Sequence, residues 1–72
     1  MEKYSNRSGN SPITHYQIGD DRVIVWFKTG KSYSYSYRKA GRTNVERMKV
    51  LARNGKGLSA YITKNVMTKY DK

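Results

Sequence analysis

Between Arg38 and Lys56 the chain carries seven basic residues, Arg38, Lys39, Arg42, Arg47, Lys49, Arg53 and Lys56, against one acid, Glu46. This run is suited to phosphate, because lysine offers a compact point charge and arginine a planar fork of donors that matches an oxyanion. Gly41 and the backbone amides at the start of the helix that follows add donors of their own. Trp26 and Tyr37 extend the chemistry to bases, since stacking on an aromatic ring is worth about 1–3 kcal/mol per base. The candidate contacts are therefore Arg38, Lys39, Arg42, Lys49, Arg53 and Lys56 for phosphates, with Trp26 and Tyr37 as stacking groups. Each has a plainer reading. The cations also suit a solvated helix face on which Glu46 tempers Lys49, and Trp26 also suits packing against a helix or the N-terminal arm.

For catalysis the inventory is poor. His15 is the only histidine and there is no cysteine, so neither a thiolate site nor a histidine triad for a metal is available, and no cofactor is expected. Asp20 and Asp21 are adjacent in a turn, where successive side chains diverge instead of acting as an acid–base pair. The serines after Gly30 have no identifiable base. The expectation is a binding protein that is not an enzyme.

The charge balance points the same way. In 72 residues there are 15 Lys plus Arg against 5 Asp plus Glu, a net charge of +10 and a sequence pI near 10.1. Self-repulsion on this scale opposes folding and is relieved by an anionic partner, of which nucleic acid is the commonest. The alternative is a protein-interaction module, of the kind a phage or mobile element encodes, whose basic face docks on an acidic patch of a host protein. No apolar run approaches the roughly 20 residues of a membrane span, and the N-terminus has no signal-peptide core, so a soluble, cytoplasmic protein is expected.

The elements that must position these groups start with Arg22–Tyr37. Val23, Val25 and Phe27 alternate with Arg22, Ile24, Trp26 and Lys28, and Tyr33, Tyr35 and Tyr37 alternate with serines, as strands with two unlike faces do. Gly30 supplies the left-handed residue of the hairpin turn. Val23, Val25, Phe27, Tyr33 and Tyr35 should face the core, which leaves Trp26 on the polar side. Tyr37, at the strand end, is the ring better placed for the surface. Residues 13–18 form a preceding strand whose apolar residues settle on no single parity, and residues 1–12 are expected to be a flexible arm. Thr43 and Glu46 have capping-box spacing for a helix from Asn44 to Asn54, closed by Gly55. Ser59 caps a second helix with Leu58, Ile62, Val66 and Tyr70 as its apolar stripe and Lys69 and Lys72 near its end. The expected fold is α+β: a three-stranded antiparallel β-meander followed by two α-helices packed on one face, forming a single domain over residues 13–72.

The pattern Ser11, Ile13, Gly19-Asp20, Val23, Val25, Phe27, Gly30, Tyr33-Ser34-Tyr35, then Gly55, Leu58, Ser59 and Ile62 resembles the KTSC domain, found at the C-terminus of some lysyl-tRNA synthetases. The likeness spans roughly residues 11–66 and centres on Tyr-x-Tyr after a Phe-x-x-Gly turn. It departs after that motif, where Tyr37-Arg38-Lys39 stands in place of the usual Val-Pro, and at Asp20, where the family often has tyrosine. The resemblance implies a small α+β domain, often a stand-alone bacterial or phage protein, with RNA as the expected ligand and RNA preferred over DNA.

Overall fold

Apolar–polar alternation sets the sheet. In the computed structural model, which describes residues 1–71, β1 (Glu2–Lys3), β2 (Ile13–Ile18), β3 (Arg22–Phe27) and β4 (Ser32–Ser36) form one antiparallel sheet in chain order. Val23 stands opposite Tyr35 and Val25 opposite Tyr33. Val23, Val25 and Tyr35 are buried beneath the helices, with Phe27 and Tyr33 packed at their margin. Gly30, at φ +91°, closes the β3–β4 turn by donating its amide to the Phe27 carbonyl at 2.9 Å.

The ambiguous parity of β2 has a local cause. Ile13 pairs with Phe27 but His15 pairs with Trp26, so Thr14 is an extra residue in the strand, and its hydroxyl donates to the Trp26 carbonyl at 3.3 Å. A bulge of this kind switches the side-chain alternation. Ile13 on one parity and Tyr16 and Ile18 on the other consequently all join the core.

The stretch expected to be a flexible arm holds structure. β1 adds a fourth strand beyond the three expected, with Glu2 opposite Tyr16 and Lys3 opposite His15. Tyr4 is buried in the core, and its hydroxyl accepts from the Leu58 amide at 3.4 Å. The Arg7 amide donates to the Gly55 carbonyl at 2.7 Å.

The helices also differ from expectation. Ser36 accepts from the Lys39 amide and so caps a short helix, α1 (Tyr37–Ala40), that strand alternation concealed. After Gly41, α2 (Arg42–Asn54) begins two residues earlier than expected and without a side-chain cap, because Glu46 bonds Tyr37 and Lys49 instead of reaching back to Thr43. α2 buries Val45, Met48 and Ala52 and ends at left-handed Gly55. The second helical segment starts from Gly57, not Ser59, as α3 (Leu58–Tyr61), and continues in a π turn over Ile62–Val66. Strict four-residue spacing drifts around an α-helix of 3.6 residues per turn, and the wider π turn offsets that drift. Leu58, Ile62 and Val66 are thereby all buried, while Tyr70 follows in a non-helical stretch and packs at the core's margin. The Asp71 amide then donates to the Ser34 carbonyl at 2.7 Å, beside β4. Lys72 lies outside the described residues.

The architecture is therefore a mixed α/β domain, a four-stranded antiparallel sheet packed against several helices. Among the described residues, no helix is long and apolar enough to cross a membrane.

Candidate nucleic-acid interface

α1 and α2 meet at Gly41 and bring Tyr37 against the first turns of α2. The Tyr37 hydroxyl donates to Glu46 Oε2, and Lys49 Nζ donates to the same oxygen at 2.8 Å and to the Asp20 carbonyl at 3.0 Å. The Arg42 guanidinium carbon and the Lys49 amine stand 5.7 and 5.5 Å from the centre of the Tyr37 ring. Hydrogen bonds from Lys49 and then Tyr37 hold the Glu46 carboxyl below its ordinary range. The bond to Glu46 in turn pushes the Lys49 amine and the Tyr37 hydroxyl upward.

This geometry changes the role of two candidate contacts. Lys49 is only 7% exposed, with its charge directed at Glu46 and the β2–β3 turn, which is the position of a tie within the fold. Tyr37 is half-buried, with cations beside its ring and its hydroxyl engaged. A base stacking on that ring would compete with the cations already there.

Arg38, Lys39 and Arg42 are exposed and lie within five positions of one another across the α1–α2 junction. Among the described residues, only Arg22 and Lys49 approach a carboxylate within 4.0 Å, so none of these three has an acidic partner. Arg53 and Lys56 are exposed too but lie elsewhere. At 1.5 Å rise per residue, Arg53 is about 16 Å along α2 from Arg42. Arg53 lines a shallow cavity with Glu2 and Gln17, and Lys56 lines another with Ser8, Asn10 and Pro12. The basic run thus divides between the two ends of α2.

Trp26 is half-buried on the sheet face away from the helices, with His15 opposite it on β2 and Ser32 on β4. Lys3 continues that row on β1. Sequence reasoning missed the row because Lys3 lay in the stretch expected to be an arm.

A further feature lies on the opposite, helix-covered face of the hairpin. Phe27, Tyr33, Tyr35, Ile62, Met67, Thr68 and Tyr70 line a cavity of about 390 Å³ between the sheet and the turn after Val66. The sequence singled out its tyrosines as core, but nothing in the spacing announced a gap beside them.

Compared with known proteins, the chain matches no family model, no curated protein and no solved structure.

Proposed function

We propose that this protein is a non-enzymatic nucleic-acid-binding module that grips phosphates chiefly through Arg38, Lys39 and Arg42. The observation that supports this reading is three exposed cations at one helix junction with no carboxylate partner among the described residues, in a chain of net charge +10. Exposed cations left unpaired within the fold retain their full attraction for an external polyanion. Arg53 and Lys56 extend the contact to a ligand long enough to follow α2. RNA is favoured over DNA by the KTSC resemblance, and a cytoplasmic location suits that ligand.

The test is an electrophoretic shift with RNA and DNA across a salt series. Three phosphate contacts to a single strand give a log–log slope of about −2. Affinity independent of salt overturns the reading. Recovery of a stoichiometric acidic protein that survives nuclease treatment, with no shift of either nucleic acid, favours the protein-docking alternative.

A further inference from the structure

We propose that the cavity between β4 and the π turn receives a nucleobase from single-stranded nucleic acid, with Lys28, Lys31 and Lys69 meeting the flanking phosphates. The proposal rests on the nucleic-acid reading above and adds a second kind of contact to it.

Four of the walls are aromatic. The Tyr33 ring centre lies 5.7 Å from that of Phe27 and 4.8 Å from that of Tyr70, at 77° and 61°. The rings meet edge to face, so neither pair is closed by parallel stacking. A volume of about 390 Å³ falls at the small end of the range for small-molecule sites and accommodates a flat heterocycle. Met67, 64% exposed, presents a large apolar side chain at the opening, and such a group gains from being covered.

Charge selects the occupant. Lys28 follows Phe27, Lys31 precedes Tyr33 by two positions, and Lys69 lies between Thr68 and Tyr70. All three are exposed, none has a carboxylate within 4.0 Å among the described residues, and no acidic side chain lines the cavity. An aromatic recess next to unpaired lysines fits a base carried on a phosphodiester chain, as in single-strand binding by stacking within a cationic surround.

The test compares decauridylate with a decamer of abasic sugar-phosphate, which keeps the charges and lacks the bases. Wild type should bind decauridylate about fivefold to 150-fold more tightly, the range one stacked base supplies. Tyr33→Leu should abolish the difference while leaving abasic affinity unchanged. Tyr70→Leu serves if Tyr33→Leu loses its far-ultraviolet circular dichroism. In wild type, decauridylate should shift the NMR ring signals of Tyr33 and Tyr70, and the abasic decamer should not. Equal affinity of wild type for both decamers overturns the base pocket and leaves the phosphate reading standing. So does a preference for decauridylate that survives the substitutions and perturbs only Trp26. Binding of neither decamer overturns both.

Discussion

Lys49 reaches across the fold to Asp20: its amine donates to the Asp20 carbonyl at 3.0 Å, joining α2 to the β2–β3 turn. A cation read from sequence as a ligand contact is thereby an internal tie. Lys49→Ala removes a charged hydrogen bond and the packing of the aliphatic stem, and should cost about 1–3 kcal/mol in urea unfolding. Arg47→Ala, at an exposed position on the same helix, should change stability by less than about 0.5 kcal/mol.

The α1–α2 junction should behave in the opposite way. Arg38→Ala and Lys39→Ala should each leave stability within about 0.5 kcal/mol of wild type. Arg42→Ala should cost up to about 1 kcal/mol, because its guanidinium lies near the Tyr37 ring. The triple substitution should weaken nucleic-acid binding and make the log–log salt slope shallower by about 2. Fluorescence anisotropy at several salt concentrations measures both.

Tyr35 and Glu46 act on stability at opposite ends of the pH scale, with Tyr4, Tyr37 and Lys49 adding to the alkaline side. Burial, with Tyr33 and Tyr70 adding to it, pushes the Tyr35 hydroxyl from 10.0 up to about 12. The native state then holds this proton more tightly than the unfolded chain does. The contribution is complete below pH 10 and is lost as pH rises through about 12. Tyr35→Phe should flatten the alkaline decline in urea midpoint. For Glu46, held low by Lys49 and Tyr37, the contribution is present above the ordinary glutamate range and lost as pH falls through its depressed value. Glu46→Gln should flatten the acid decline.

Gly55 meets Ser5 so closely that a Cβ added at Gly55 would stand 2.5 Å from the Ser5 Cβ, and Gly55 itself has φ +74°. Gly55→Ala should lower stability by about 2–3 kcal/mol, combining the left-handed backbone penalty of about 1–2 kcal/mol with the clash. Adding Ser5→Gly should restore the steric part and leave the backbone part, which a double-mutant cycle in urea resolves.

The central hairpin was legible because a half-buried strand writes its two faces into alternate residues, and Val23, Val25, Tyr33 and Tyr35 do so without interruption. Tyr4 was not, since one aromatic in a polar stretch has no period to betray it. Thr14 obscured β2 by inserting the residue that reverses its alternation. Thr43 and Glu46 had the spacing of a cap, but Tyr37 and Lys49 bind that carboxylate, and Tyr37 lay in what looked like a continuing strand. Of the candidate contacts, Arg38, Lys39 and Arg42 are exposed and stay within one short stretch across the α1–α2 junction, as their closeness in sequence requires. Arg53 and Lys56 are separated from them by the length of a helix, and Lys49 is turned inward, which a count of charges does not register.

The small bridge between Asp71 and Ser34 has a consequence for how the molecule behaves in company. Tyr-Ser alternation along an outer strand is an invitation to copy-on-copy stacking and ultimately to fibrils. Asp71 occupies that border at its midpoint. Asp71→Pro, which removes the amide that bonds Ser34, should therefore reveal itself first as turbidity in concentrated samples.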